Sequence, residues 1–283
     1  MNVLSLFDGI SAGRVSLEKS NVNVDNYYAS EIDSFAIRVA NKNYPDTIQL
    51  GDISEWRDWD IDFSKIDLVI GGSPCQGFSF AGKQLNFQDE RSKLFFEYVD
   101  ILNCVKSLNP NVKFLLENVR MKQEYQDVIS KFLNVEPIQI NSSLVSAQNR
   151  VRYYWTNIDN IEQPIDKRLL LSNILEDSVD EKYALSNKAF DYMSRLRNGK
   201  PRWEYHKNPL EGKSACLTAN MFKGVPYGVV KEKNRKLTEV ECERLQTFPD
   251  GYTEGISSSQ RYKALGNSWT VDVVAHIFKN LKK

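Results

Sequence analysis

An α/β fold with a doubly wound, mostly parallel sheet is predicted for this 283-residue chain. Three observations carry the prediction. Short apolar runs alternate with segments of helical periodicity through the first half of the sequence. Those runs are apolar along nearly their whole length, the pattern of strands covered on both faces. Each run stops at a turn bearing an acid, a glycine or a cysteine, and in open α/β sheets the ligand crevice lies outside the carboxyl ends of the strands.

Taken in order, Val3 to Phe7 reads as the first strand, Asp8 to Gly13 as its turn, and the segment through Val15 and Leu17 as a helix. Asn26 to Ser30 forms a second strand ending at Glu31, with a helix from Ser34 to Asn43. Thr47 to Leu50 is a third strand, ending at Gly51-Asp52-Ile53. Asp67 to Ile70 is a buried strand running into Gly71-Gly72-Ser73-Pro74-Cys75. A helix follows from Leu94 to Leu108, then a strand from Lys113 to Leu116 that ends at Glu117-Asn118-Val119. The topology therefore predicts that Asp8, Glu31, Asp52, Cys75 and Glu117 converge on one rim, although they are scattered over more than a hundred residues of sequence.

From about residue 163 to 234 the alternation fades, and Gly, Pro, basic and aromatic residues increase. Order returns at Thr238, where Glu241 three residues on completes a capping box that opens a helix from Val240 to Leu245. A last helix is predicted from Thr270 to Leu281. The expected organisation is one domain at 1–160, a separate small lobe at 161–234, and a segment at 235–283 that returns to the first domain.

Composition narrows the class. With 41% hydrophobic and 26% charged residues, the chain is ordinary globular protein rather than disordered or low-complexity sequence. No apolar run approaches the roughly 20 residues that span a bilayer, and the opening residues lack a basic leader pattern, so a soluble cytoplasmic protein with reduced thiols is expected. Cys75, Cys104, Cys216 and Cys242 are too widely spaced for a metal pair, and with His206 and His276 the only histidines, no metal site is expected. Net charge is zero, but residues 1–100 hold 9 basic and 16 acidic side chains while 182–283 hold 19 and 10. Between Lys188 and Lys236 there are 12 basic and 4 acidic residues among interleaved aromatics, the footprint of a polyanion partner.

The turn after the first strand is not G-x-G-x-x-G, so a dinucleotide pyrophosphate is not indicated. Glu31 can accept from a vicinal diol and Asp52 from an amino group, which together suggest an adenosine-bearing cofactor. Cys75, exposed on a proline-fixed turn at the rim, is the candidate nucleophile; Cys104, Cys216 and Cys242 are expected to be small buried hydrophobes.

Gly72-Ser73-Pro74-Cys75-Gln76-Gly77-Phe78-Ser79, Glu117-Asn118-Val119 and Gln148-Asn149-Arg150-Val151-Arg152 occur in order, with Phe7-Asp8-Gly9 before them and Glu243-Arg244-Leu245-Gln246-Thr247-Phe248-Pro249 and Gly266-Asn267-Ser268-Trp269 after. In these motifs the chain resembles the cytosine-C5 DNA methyltransferases, over its whole length except the basic lobe. The opening residues and Trp269 are similar to the catalytic domain of vertebrate de novo methyltransferases; a stand-alone chain fits a compact bacterial or phage member.

The resemblance implies a class I S-adenosylmethionine-dependent methyltransferase fold, with one antiparallel strand in the sheet and a small target-recognition lobe. It implies methyl transfer from S-adenosylmethionine to C5 of a flipped-out cytosine, through a covalent adduct of Cys75 at C6, with Glu117 and Arg152 as the other catalytic residues. By the same resemblance, Phe7, Asp8, Gly9, Ile10, Ala12, Gly13, Glu31, Ile32, Asp52, Ile53, Pro74, Leu94, Asn267, Ser268 and Trp269 would bind the cofactor. Gln76, Ser79, Arg150, Lys213 and Thr218 would meet DNA, Arg150 chiefly by bracing its loop. Implied partners are double-stranded DNA and a cognate restriction endonuclease acting on the same site, with the enzyme a monomer. Two other readings keep the fold: a cytosine-C5 methyltransferase of RNA, and a non-catalytic DNA-binding paralogue. A nicotinamide oxidoreductase is disfavoured by the missing phosphate fingerprint.

Overall fold

The computed structural model describes residues 1–73, 90–205 and 208–282. The chain forms two compact units, one of Met1–Ile140, Val151–Gln163 and Val274–Lys283, the other of Asn141–Arg150 and Pro164–Val273. Of the predicted C-terminal segment, only the part from Val274 onward belongs to the first unit.

The first unit is built on a seven-stranded sheet of β1 (Asn2–Leu6), β2 (Asn26–Ser30), β3 (Ile48–Gln49), β4 (Leu68–Gly71), β5 (Lys113–Val119), β6 (Ile138–Asn141) and β7 (Val151–Thr156), in the order β3-β2-β1-β4-β5-β7-β6. The pairs from β3 through β5 are parallel, and β7 runs antiparallel to β5. The helices are α1 (Ala12–Lys19), α2 (Ser34–Asn43), α3 (Glu90–Leu108) and α4 (Gln123–Leu133). Leu4, Leu6, Val69, Phe114, Leu116 and Trp155 from the strands and Phe95, Tyr98, Leu102 and Val105 from α3 share one buried cluster. The all-apolar strands anticipated this, because a strand such as Leu68–Gly71 with every residue buried needs cover on both faces.

Register sets the rim. Leu6 pairs with Ser30 on one side and Gly71 on the other, Ala29 pairs with Gln49, and Gly71 pairs with Leu116. The residues just past β1, β2, β3 and β4 therefore lie along one edge, as the sequence predicted. Several boundaries differ. The strand expected to stop at Leu116 continues to Val119, because antiparallel β7 pairs with Glu117, Asn118 and Val119 after β4 has ended. Glu117 thus sits inside β5 yet beyond the end of its parallel neighbour. Phe7 leaves β1 with φ 58°, and the third strand shrinks to Ile48–Gln49. The helix of 94–108 begins at Glu90.

The second unit contains α5 (Asn187–Ser194), two-stranded pairs β8 (Leu196–Arg197) with β9 (Lys200–Pro201) and β10 (Val229–Val230) with β11 (Arg235–Lys236), then α6 (Glu239–Leu245) and α7 (Ser258–Asn267). The predicted capping box opens α6: Thr238 Oγ1 accepts from the Glu241 amide at 3.1 Å, and Glu241 accepts from the Thr238 amide at 2.9 Å. The final helix α8 spans Val271–Phe278 and tightens into a 3-10 turn over Lys279–Lys282. Among the described residues, no helix is long and apolar enough to cross a membrane, and no group of three or more His, Cys, Asp or Glu side chains could hold a metal ion.

Candidate active site

The rim of the first unit begins at the turn after β1. Asp8 is buried, and its carboxylate accepts from Ser5 Oγ (2.6 Å), Ser11 Oγ (2.5 Å) and Tyr27 Oη (2.7 Å). Burial raises its pKa against the pull of those hydroxyls, and nearby Glu31 raises it further. Asp8, with buried Ile10 and Ala12, shapes the turn from within. Gly9 has φ +61°, and a Cβ there would meet open space. Its amide donates to Glu31 Oε2 at 2.8 Å, while Glu31 Oε1 accepts from the amides of Ile32 and Asp33, each at 2.8 Å. The carboxylate is thereby fixed in orientation, since ordinary rotation would break charge-assisted hydrogen bonds. Beside it Ile32 is 72% exposed, which for an isoleucine at a strand end leaves a large apolar surface without cover. Asp52 caps the 3-10 turn Ile53–Asp58, accepting from the Ser54 amide at 2.9 Å, and Ile53 anchors that turn in the core. Phe7 and Leu94 are half-buried against the same core.

Further along the rim, Glu117 and Arg152 form an ion pair of 2.8 Å between Oε1 and Nε. Register explains it: Glu117 lies opposite Tyr154 and Arg152 opposite Val119, so the two are diagonal neighbours on one face of β5 and β7. Arg152 also donates to the Val151 carbonyl at 2.8 Å. Asn118, on the opposite face, donates to the main-chain oxygen and hydroxyl of buried Ser73, both at 3.3 Å. Residue 118 therefore ties down the chain immediately before Pro74 and Cys75. Pro74, Cys75, Gln76 and Ser79 lie outside the described residues.

In the second unit, Arg150 is buried and donates to Leu217 O (2.8 Å), Ser268 O (2.6 Å), Gly266 O (3.3 Å) and Cys216 Sγ (3.3 Å). Gln148 donates to Leu245 O at 2.6 Å and to Gln246 Oε1 at 2.9 Å, and Gln246 donates on to Leu265 O at 2.7 Å. Three motifs distant in sequence are thus knotted together by buried amides and one guanidinium. Gly266 is forced by this packing, since a Cβ would lie 2.1 Å from the main chain of Thr218. Of the predicted cofactor residues that follow, Asn267 is exposed, Ser268 buried and Trp269 half-buried. Lys213 points its ammonium at the carbonyls of Ser143 (2.6 Å) and Ser146 (3.0 Å), and burial lowers its pKa. Thr218 is exposed at the mouth of a cavity of about 220 Å³ lined also by Cys216, Leu217, Met221 and Tyr227. Cys242 is fully buried, and burial pushes its thiol pKa up; Cys104 and Cys216 are only half-buried.

The family model of the C-5 cytosine-specific DNA methylases matches residues 1–283. The chain is 32% identical to the type II methyltransferase M1.ScrFI of Lactococcus lactis subsp. cremoris, across 99% of this chain and 77% of that protein. It is 30% identical to the type II methyltransferase M.NlaX of Neisseria lactamica, across 99% and 96%. The chain belongs to the C-5 cytosine-specific DNA methylase family. Among solved structures, the methyltransferase EhMeth of Entamoeba histolytica superposes with a TM-score of 0.76 at 20% identity, covering 100% of this chain and 99% of that one, which establishes the shared fold.

Within this methylase, several residues that organise the site escaped the sequence reading. Asn118 was seen only as part of a motif, although its tie to Ser73 is what joins β5 to the turn after β4. Glu243 was likewise seen only as a motif letter. It is fully buried and accepts from the amides of Gly251 (2.7 Å) and Thr253 (2.8 Å), from Thr253 Oγ1, and from Arg261 Nη2 (2.8 Å). A buried carboxylate must find such partners, and nothing in the helical pattern of Glu239–Leu245 marked this one glutamate out.

Proposed function

We propose that the protein transfers a methyl group from S-adenosylmethionine to C5 of a cytosine extruded from duplex DNA, with Cys75 as the covalent nucleophile. The observation that carries this reading is the Glu117–Arg152 pair, set past the end of β4 beside Asn118, which holds Ser73 two residues before Cys75. A Glu117 side chain held by a guanidinium at the strand end can take the Watson–Crick edge of one base when it carries a proton, its O–H donating to N3 and its other oxygen accepting from the exocyclic amine.

The residues of the rim fit the cofactor. Glu31, oriented by three amides, keeps lone pairs for a vicinal diol; Ile32 and Phe7 offer apolar surface for a purine; Gly9 leaves room for close approach of a ligand to the main chain. Asp52, Ile53 and Leu94 complete this side; Pro74, Asn267, Ser268 and Trp269 are assigned to the cofactor on the family resemblance alone. When bound, S-adenosylmethionine supplies a methyl carbon on a positively charged sulfur, an electrophile that an unactivated cytosine C5 is too weak to attack.

Activation is the task of the chain. The Cys75 thiolate adds to C6, forming the S–C6 bond and pushing an electron pair toward N3, where Glu117 delivers a proton. C5 is then enamine-like and competent to take the methyl group. Arg152 steadies Glu117 and offers a donor to the base carbonyl. Water then takes the C5 proton, the C5–H electron pair forms the C5=C6 bond as the S–C6 bond breaks and returns the thiolate, and the N3 proton goes back to Glu117. Extrusion of the base costs a few kcal/mol, met by contacts in the pocket and by the DNA-binding surface. The second unit, with its basic excess, serves as that surface and includes Thr218; Gln76 and Ser79 flank the nucleophile. Arg150 and Lys213, whose donors are engaged by carbonyls within their own unit, are assigned to bracing rather than to phosphate contact.

Two variants test the assignment. Cys75→Ala is expected to abolish methyl transfer to duplex DNA while S-adenosylmethionine still binds with wild-type affinity. Glu117→Gln is expected to lower turnover by about 10²- to 10⁴-fold, the usual weight of one proton-transfer group. Retained turnover in Cys75→Ala would refute the covalent mechanism.

A further inference from the structure

Within the basic part of the second unit, the segment Arg195 to Arg202 forms a two-stranded hairpin. Asn198 and Gly199 both have positive φ (50° and 76°), the requirement of a tight type I′ turn, and Leu196 pairs with Pro201 and Arg197 with Lys200. Its base is fixed. The Arg202 amide donates to Arg195 O at 3.3 Å, Trp203 Nε1 to Ser194 Oγ at 3.3 Å, and Tyr205 Oη to Arg197 O at 2.8 Å. Trp203 is buried in a local core with Leu185, Met193 and Val229. Residues 194–200 are nevertheless all exposed, Leu196 to 68%.

Alternation along an extended ribbon puts Arg195, Arg197, Lys200 and Arg202 on one face, as two cross-strand pairs of like charge, with Leu196 and Pro201 on the other. Like charges directly opposite destabilise a hairpin. Among the described residues, none of the four pairs with a carboxylate; their side-chain partners are rings and a carbonyl, with Arg197 over Tyr205 (5.8 Å) and Arg202 over Tyr192 (4.4 Å) and bonded to Arg195 O. Flanking Asp191 and Glu204 leave the run between them free of acids. A ribbon that concentrates four cations on one face suits a polyanion. A two-stranded ribbon is also one of the two elements that the major groove of B-DNA admits.

We infer that the β8–β9 hairpin enters the major groove and reads the target sequence, with Arg197 and Lys200 beside the turn reaching guanine O6 and N7, and Arg195 and Arg202 at its base meeting phosphates. This rests on the DNA-methylation reading above. The experiment compares wild type, Arg197→Ala, Arg197→Lys, Lys200→Ala and Arg195→Ala on duplexes that carry the methylated context and every single-base-pair change within it, together with binding of a labelled duplex at several salt concentrations. Arg197→Ala is expected to lose about 5- to 150-fold of discrimination at one G·C pair, the range for one bidentate contact. Arg197→Lys keeps the charge and should lose part of the same discrimination, because a rotatable ammonium on a flexible stem is less pre-organised for O6 and N7 than the planar guanidinium. Arg195→Ala should weaken all duplexes alike and reduce the salt slope by about 0.9. If wild type methylates DNA but Arg197→Ala and Lys200→Ala keep its site preference, the hairpin assignment is overturned alone. A wild-type protein that methylates no duplex while binding S-adenosylmethionine overturns the DNA reading as well.

Discussion

Replacing Gly266 by alanine sets two effects of opposite sign against each other. Gly266 lies in the last turn of α7, where alanine ordinarily gains about 1 kcal/mol of helix propensity over glycine. Against this, the added Cβ would stand 2.1 Å from both the carbonyl carbon and oxygen of Thr218 and 2.4 Å from the Ala219 nitrogen. Ordinary contact begins near 3.4 Å, so main chain must retreat by roughly 1 Å. That main chain is not free to move, because Arg150 donates to Leu217 O on one side and to Gly266 O and Ser268 O on the other. Overpacking of this kind costs about 1–3 kcal/mol and more where backbone resists. The steric term therefore wins, with a net loss of about 1–2 kcal/mol, or several degrees at about 2–4 °C per kcal/mol for a protein of this size. Thermal and urea unfolding of Gly266→Ala should both show a lower midpoint. A midpoint equal to or above wild type would refute the packing argument and leave helix propensity in control.

Glu243→Ala should be among the most damaging substitutions in α6, losing about 3–5 kcal/mol because Arg261 and the amides of Gly251 and Thr253 lose a buried acceptor; Glu243→Gln should be milder, and urea unfolding of both measures the difference. Asp8 gives a pH signature. Its folded-state pKa is raised above the ordinary 3.8, so the native state holds the extra proton between the two values. Its contribution is then fully present below about 3.8 and lost as pH rises through the raised value. The stability of wild type minus that of Asp8→Asn should fall across this window and flatten above it; a difference that grows with pH contradicts the burial argument.

Much of the first unit was legible because its central strands β1 and β4 are almost wholly buried and mostly apolar. The runs at Val3, Asn26 and Leu68 needed no tertiary information, and parallel pairing carried Glu31 and Asp52 to one edge. What failed to show was whatever depends on a neighbour distant in sequence. Glu117 looked like a turn residue because β7, which extends β5 past Leu116, lies more than thirty residues away. α4 and α7 passed unmarked, as did β6, although Pro137 immediately precedes it, and β7, which has no Gly or Pro beside it. The function of Lys213 could not be read at all from charge alone, whereas Arg150 was expected chiefly to brace its loop. A cation in a basic lobe looks like a phosphate ligand until its donors are found on carbonyls of its own unit.

Methylation of unmodified duplex DNA in the presence of S-adenosylmethionine, followed by bisulfite sequencing, tests the central claim most directly. The account requires protected cytosines confined to one short repeated context in the wild type, and none in Cys75→Ala. Unprotected cytosines throughout, from a folded protein that binds S-adenosylmethionine, would contradict it.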